Sequence, residues 1–179
     1  MDPIEKLMDE HRNILAGIDI LAKNADRLEK GEKVDPRFFT EAIDFIRNYA
    51  DKYHHAKEED ILFKKMEKAG FPAEGGPIGV MLSEHDQGRN YVRAMEKANE
   101  RYIVGEGSAV NEIAENAKGY VYLLRAHIDK EDRILYPMAR NTLGENGIEA
   151  MRPDFERIEK EKAGTEEKYK ALLKELESY

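Results

Sequence analysis

The chain of 179 residues contains no cysteine. This absence excludes disulfides, thiolate zinc sites, cysteine-held iron-sulfur clusters and thiol nucleophiles. Any metal that the chain binds must therefore be held by imidazole nitrogen and carboxylate oxygen, from histidine, aspartate and glutamate side chains.

Sustained positive charge is lacking as well. The net charge is -8, and the 37% of residues that are charged mix both signs along most of the sequence. Such mixing is typical of solvated helix faces. Because an acidic chain is repelled by phosphate, nucleic acid and anionic membranes are poor candidates for partners.

Long apolar runs are also absent. The N-terminal stretch MDPIEKLMDEH has no apolar centre like that of a signal peptide, and no other segment is long enough to span a bilayer. We therefore expect a cytoplasmic protein without membrane contact. The length suits one domain with a substantial core.

Caps, breakers and apolar spacing predict four long helices. Asp2 and Pro3 supply an N-cap and a proline at the first helical position, Ser108 is the expected cap of the fourth helix, and Pro137 is expected to kink or end it. The predicted spans are about 3–30, 36–69, 77–105 and 108–140.

Each of these segments carries one apolar stripe at helical spacing, so each should bury one face. Long amphipathic helices with short connections predict an all-α, up-down-up-down four-helix bundle, which we place at residues 1–142. An additional C-terminal helix is predicted within an extension, residues 143–179, that packs on the bundle. Its apolar positions are Phe155, Ile158, Tyr169, Leu172 and Leu176.

Two segments of the chain are near copies of each other. HHAKEEDILF, residues 54–63, aligns with HIDKEDRILY, residues 127–136. A weaker echo relates MDEH, residues 8–11, to LSEH, residues 82–85. The bundle is therefore predicted to consist of two related helical hairpins about a pseudo-twofold axis. Each hairpin contributes one histidine from its first helix and a His-x3-Glu pair from its second.

The longer alignment pairs His54 with His127 and Glu58 with Glu131. Helical phase places all four of these side chains on the apolar stripes of the second and fourth helices, facing inward.

The neighbouring pair on the second helix lies off the repeat. His55 stands opposite Ile128 and falls at the edge of the inward face. Glu59 turns further away and is expected to meet solvent.

All five histidines lie on the four predicted helices, and His11 and His85 occupy matching positions on the first and third. A single His-x3-Glu is most often a surface pair, and a lone histidine on an apolar stripe is more often a hydrogen-bonded core residue. Burying two carboxylates and several imidazoles together costs several kcal/mol per charge unless something compensates. Two metal ions supply that compensation, and this ligand set suits iron, manganese or zinc.

The order of these motifs resembles the hemerythrin-like, or HHE cation-binding, family. The motifs are a histidine on helix one, HHxxEE on helix two, EHD on helix three and HxxxE on helix four, and the match covers about residues 4–140. The resemblance implies a non-haem centre of two iron ions joined by an oxo or hydroxo bridge, which zinc or manganese can replace in a recombinant sample. It implies that the metal ligands are His11, His54, Glu58, His85, His127 and Glu131, and we add His55 as a seventh candidate ligand.

In the arrangement that the resemblance implies, each iron has two histidines, and both glutamates bridge. His11 and His54 would bind one iron, and His85 and His127 the other. The place of His55 stays open: it either reaches the second iron or lies outside the ligand set.

Two departures from oxygen-carrying hemerythrins count against simple reversible O2 carriage. Those proteins have two histidines four apart on helix three, whereas Met81 and Arg89 flank His85 here. They also use His-x4-Asp on helix four, where this chain has Glu131 at x3. A ferritin-like di-iron protein is excluded because it needs Glu-x-x-His on two helices, and no histidine here has that glutamate.

The expected function is binding or sensing of O2, peroxide or nitric oxide, or of iron itself. One alternative is an enzyme that reduces peroxide or nitric oxide at the same centre. Another is a helical interaction protein with a structural metal site, which forms a homodimer or binds a partner protein through its C-terminal helix. Gly88, one turn from His85, either leaves room for a small ligand or permits a close helix contact.

Overall fold

A computed structural model describes the whole chain, from Met1 to Tyr179, and it contains helices, turns and connecting loops without a strand. The prediction of an all-α fold is confirmed. The six helical units are α1 (Pro3–Glu29), α2 (Pro36–Phe45, Ile46–His55, Glu58–Leu62 and Phe63–Lys68), α3 (Pro77–Ile103), α4 (Ala109–Lys130, Glu131–Leu135 and Tyr136–Glu149), α5 (Arg152–Glu161) and α6 (Thr165–Leu176). No helix has the length and apolar character needed to cross a membrane.

The helix starts follow local chemistry in part. Asp2 Oδ1 accepts from the Glu5 N–H at 2.9 Å, and the Asp2 N–H donates to Glu5 Oε2 at 3.0 Å. This reciprocal cap satisfies donors that have no partner inside the helix. The prediction for Ser108 is wrong, because its hydroxyl donates to Glu106 Oε1 at 2.9 Å rather than capping α4.

Neighbouring helices of the bundle run antiparallel. In successive contacts between α1 and α4, the residue number increases along α1 and decreases along α4. The pairs are His11 with Asp132, Asp19 with Arg125, and Glu29 with Lys118. The same reversal relates α1 to α2, α2 to α3 and α3 to α4. These pairings are consistent with the predicted up-down-up-down order.

Parts of α2 and α4 are wound as π-helix, with hydrogen bonds from residue i+5 back to residue i. Near the predicted bridging residues, the Phe63 N–H donates to the Glu58 carbonyl and the Tyr136 N–H donates to the Glu131 carbonyl. A longer π segment, Ile46–His55, precedes the first of these. π-turns of this kind are frequent at functional sites.

Two apolar clusters fill the bundle, and a polar layer lies between them. The larger cluster includes Ile14, Ile18 and Tyr120, and the smaller includes Ile4 and Leu135. The predicted ligands occupy the intervening level of the helices, where each is buried.

The C-terminal region differs from the prediction in two ways. Helix α4 runs a few residues past Arg140 to a kink at Gly144, whose φ of 65° is readily adopted only by glycine, and a short helical stretch to Glu149 follows the kink. Beyond it, α5 and α6 replace the single predicted helix, because Gly164, with φ of 81°, interrupts the segment.

The C-terminal helices nevertheless pack on the bundle. On α5, Phe155 joins the smaller apolar cluster, and on α6, Tyr169 joins the larger one. Lys6 of α1 also pairs with Glu166 of α6 at 2.6 Å. The domain boundary at residue 142 stays a prediction.

Candidate metal centre

The structure brings all seven predicted ligands together. Their donor atoms form two buried groups, in each of which all donors lie within 4.8 Å of one another, and Glu58 belongs to both. One group is His11, His54, Glu58 and Glu131, and the other is His55, Glu58, His85 and His127. This division places the histidines as the resemblance implies.

Both glutamates reach histidines of the two groups. Glu58 Oε2 lies 3.6 Å from His54 Nε2 and 3.6 Å from His85 Nε2. On the other side, Glu131 Oε2 lies 3.3 Å from His11 Nε2, and its Oε1 lies 3.1 Å from His127 Nε2. Each carboxylate therefore spans the two groups, as a bridging ligand must.

Several polar atoms at this centre are buried without a hydrogen-bond partner. They are His54 Nε2, Glu58 Oε2 and both carboxylate oxygens of Glu131. Orphaned polar atoms of this kind are rare and costly in native proteins. Their convergence at one point, with nitrogen and oxygen donors only, fits a site for metal cations.

A carboxylate stands behind every one of the five imidazoles, at the nitrogen that points away from the centre. The Nδ1 contacts are His11 with Asp132 at 2.8 Å, His54 with Glu10 at 2.9 Å, His55 with Asp51 at 3.3 Å, His85 with Glu59 at 2.7 Å, and His127 with Glu84 at 2.9 Å. An Nδ1–H that donates to a carboxylate fixes the ring orientation and leaves Nε2 free to bind metal.

The prediction that Glu59 meets solvent holds only in part. It is half-buried, and it accepts hydrogen bonds from His85 Nδ1 and from Arg89, both at 2.7 Å. His55, placed at the edge of the inward face, is buried and stacks on the His85 ring with centroids 3.8 Å apart. A π segment has more residues per turn than an α-helix, so neighbouring side chains diverge less than the α-helical phase suggests.

Several residues of the site were missed by sequence reasoning. Glu10 and Lys57 are fully buried, and the Lys57 ammonium donates to Glu10. The matching pair of the repeat, Glu84 and Lys130, makes the same contact nearer the surface. Two repetitions in the sequence could have indicated these pairs. Glu-His occurs on both α1 and α3, and a lysine follows the ligand histidine by three residues on both α2 and α4.

Tyr136 was also missed as a site residue. Its hydroxyl donates to Glu58 Oε1 at 2.7 Å, and its ring stacks on His11. The matching residue of the repeat, Phe63, stacks on His85 but has no hydroxyl. The two halves of the centre are therefore chemically different.

Several side chains at the centre have pKa values far from their ordinary values. Burial and the neighbouring Glu131 raise the pKa of Glu58 well above its ordinary value. For Glu131, burial acts in the same sense, but His127 and His11 outweigh it and hold the pKa below its ordinary value. Burial, reinforced by His85, lowers the pKa of His55 to about 3. A neutral imidazole at His55 is the form that binds metal.

A cavity of about 400 Å³ adjoins one half of the centre. It is bounded by His55, His85, His127 and Gly88. The Cα of Gly88 faces the Tyr120 ring, which an added Cβ would approach to 3.4 Å. Gly88 thus leaves open space and also faces an aromatic ring of α4.

Comparison with known proteins agrees with this site. A family model described as the hemerythrin HHE cation binding domain matches residues 2–139. An uncharacterised protein of Mycobacterium tuberculosis is 24% identical over 160 residues, which make up 89% of this chain and 62% of that protein. The iron-sulfur cluster repair protein YtfE of Yersinia pseudotuberculosis is 25% identical over 138 residues, 76% of this chain and 62% of that protein.

The same repair protein of Pectobacterium atrosepticum shows the same identity and coverage. The chain spans 62% of the length of these curated relatives. No solved structure matches it.

The fold and the site define a helical-bundle protein with a metal site built from histidine and carboxylate. The family match covers most of the chain, and the chain belongs to the hemerythrin HHE cation-binding domain family. The predicted resemblance is confirmed.

Proposed function

We propose that the chain holds two iron ions and that this centre binds or senses O2, peroxide or nitric oxide, or iron itself. The observation that carries the proposal is the set of buried atoms without hydrogen-bond partners on His54, Glu58 and Glu131. His11 and His54 would hold one ion, and His55, His85 and His127 the other, with Glu58 and Glu131 between them. Two ferrous ions can each give one electron to a small oxidant, and the ferric ions absorb visible light.

The chain's own residues prepare the centre for this task. The carboxylates behind the imidazoles orient the Nε2 atoms, and the apolar clusters on either side limit the access of bulk water. The Tyr136 hydroxyl donates to Glu58 Oε1. The other oxygen of this carboxylate, Oε2, then lies between the two donor groups. The cavity beside His85 offers an approach for small molecules.

Stopped-flow spectra of anaerobic, reduced, iron-loaded protein mixed with O2 test the proposal. We expect direct conversion to the ferric form, which supports sensing or turnover, and added azide should shift the ferric bands. A long-lived complex released under vacuum would support carriage instead. If O2, peroxide and azide all leave the spectrum unchanged, the metals are structural and the proposal is wrong.

An enzyme that reduces peroxide or nitric oxide would use the same metal ligands as a sensor. Catalytic turnover distinguishes the two. Steady-state consumption of peroxide by the iron-loaded protein would make it an enzyme, whereas a single conversion per chain would favour sensing. The interaction-protein alternative is less favoured, because the apolar residues of α5 and α6 are buried against the bundle.

A second candidate function is supply of iron for cluster repair, which the similarity to proteins named for iron-sulfur cluster repair supports. Because this chain has no cysteine, the cluster would have to lie on the recipient. Iron-loaded protein mixed with an apo-ferredoxin, sulfide and reductant tests this candidate. Cluster formation faster than with an equal amount of free ferrous iron would support it, and an equal or slower rate would contradict it.

A further inference from the structure

The cavity beside His55, His85 and His127 is larger than a diatomic gas or peroxide requires. Its volume is about 400 Å³. A molecule of liquid water takes about 30 Å³, so the space is on the order of ten water volumes. This size lies within the range of pockets that bind small organic molecules.

The walls of the cavity are largely apolar. Ile46 of α2, Val92 of α3, and Tyr120 and Leu124 of α4 line it, and all four side chains are buried. Ligand pockets are typically built in this way, with a mainly apolar lining and a few polar groups that set orientation.

The rim carries an excess of positive charge, although the protein as a whole is acidic. Lys52 and Arg93 are exposed at the cavity, and they donate to the neutral side chains of Asn48 and Asn90 without forming an ion pair. Another rim cation, Arg89, is already held by carboxylates, including Asp51 at 2.7 Å. Lys52 and Arg93 are therefore available to an anion.

The repeat does not reproduce the residues that line this cavity. At the position that matches Gly88, helix α1 has Ile14, and at the position that matches His55, helix α4 has Ile128. Both isoleucines are buried in the larger apolar cluster and fill the corresponding space. At the position that matches Lys52 in the repeat, helix α4 has Arg125, which pairs with Asp19 at 2.5 Å. The repeat has thus diverged at three positions around this one space.

We propose that this cavity binds a small monocarboxylate with a short apolar chain. The chain lies between Ile46, Val92 and Leu124, and the carboxylate meets Lys52 and Arg93 at the rim. The inference rests on the proposed function, since the inner end of the cavity is formed by histidines proposed to hold the second ion. It names the class of molecule that this centre meets in addition to a small oxidant.

Titration calorimetry with hexanoate tests the proposal, and hexanamide serves as the uncharged control. Both ligands are added to iron-loaded and to metal-free protein. We expect saturable binding of hexanoate, and because an ion pair at the exposed rim contributes up to about 1 kcal/mol, binding of hexanamide should be about fivefold weaker. Absence of saturable hexanoate binding, or equal binding of the two ligands, would overturn the proposal.

Variants place the binding in the cavity. Gly88→Ile introduces the side chain that fills the matching space at Ile14, and it should abolish binding, while Gly88→Ala should weaken it. The double variant Lys52→Ala, Arg93→Ala should bind hexanoate no better than hexanamide, and Arg125→Ala, the matched control, should bind like the wild type. Unchanged hexanoate binding in the double variant would overturn the proposal even if Gly88→Ile fails to fold.

Iron content of the same samples separates the two proposals. Hexanoate binding by a protein that takes up no iron when iron is supplied would support the cavity assignment and contradict the di-iron assignment. Full iron content without hexanoate binding would contradict the cavity assignment alone.

Discussion

Glu10 accepts a hydrogen bond from Nδ1 of His54 at 2.9 Å, and both side chains are buried. The same contact recurs between Glu84 and His127, also at 2.9 Å. Helices α1 and α3 thus each carry a Glu-His dipeptide. Its histidine is a proposed metal ligand, and its glutamate orients a proposed ligand on the following helix. The repeat therefore carries the orientation of the ligands as well as the ligands themselves.

Stability should respond unequally to loss of these two glutamates. Glu10→Ala removes the nearer carboxylate from the buried Lys57 ammonium and leaves only Glu159, at 3.7 Å, so the cost is up to about 3–5 kcal/mol. Glu84→Ala removes a contact nearer the surface, which costs about 1 kcal/mol or less. Urea unfolding of the metal-free variants measures both, and equal losses would show that Lys57 finds another partner.

The amount of iron lost should distinguish the proposed bridging glutamates from the glutamates that orient the histidines. Glu58→Ala and Glu131→Ala should each lose more iron than Glu59→Ala or Glu84→Ala. Loss of an orienting carboxylate typically lowers metal affinity by about 10–100-fold, whereas loss of a bridge removes a ligand from both ions. Elemental analysis of the four variants, purified alike, makes the comparison. As much iron lost from Glu59→Ala as from Glu58→Ala would show that Glu59 is itself a ligand.

His55→Ala should weaken one ion selectively. His55 belongs to one of the two donor groups and has no counterpart in the other, where Ile128 stands at the matching position. Iron retention during dialysis against a chelator should therefore fall in two steps rather than one. A variant that keeps both irons and an unchanged spectrum would place His55 outside the ligand set.

Tyr136→Phe should destabilise the metal-free protein by about 1–3 kcal/mol, because Glu58 Oε1 loses its buried donor. Iron content should be retained, since no proposed ligand is removed. Tyr122→Phe, at a tyrosine with 82% exposure on the same helix, is the matched control and should leave stability unchanged. Equal stability of Tyr136→Phe and wild type would mean that the hydroxyl makes no net contribution.

Much of the centre could be predicted because the repeat and the apolar stripes agree. His54, Glu58, His127 and Glu131 face inward in the sequence pattern, and the structure places them there. The roles of the carboxylates behind the imidazoles could not be read in the same way. Glu10, for example, lies among charged residues, and only the three-dimensional approach of α1 to α2 gives it a histidine and a lysine as partners.

The remaining errors have local physical causes. The π segments alter the phase of α2, which is why Glu59 reaches His85 and is only partly exposed to solvent. The fourth helix is predicted to end at about residue 140, yet the chain is helical on both sides of Gly144, and Ile148 packs into the smaller apolar cluster. Tertiary contacts of this kind routinely override local propensity.

The iron content of protein purified anaerobically from iron-supplemented cells tests the central claim most directly. Two glutamates that each reach histidines of both donor groups predict about two irons per chain. A reproducible ratio near one, with all seven proposed ligands intact, would contradict the dinuclear centre.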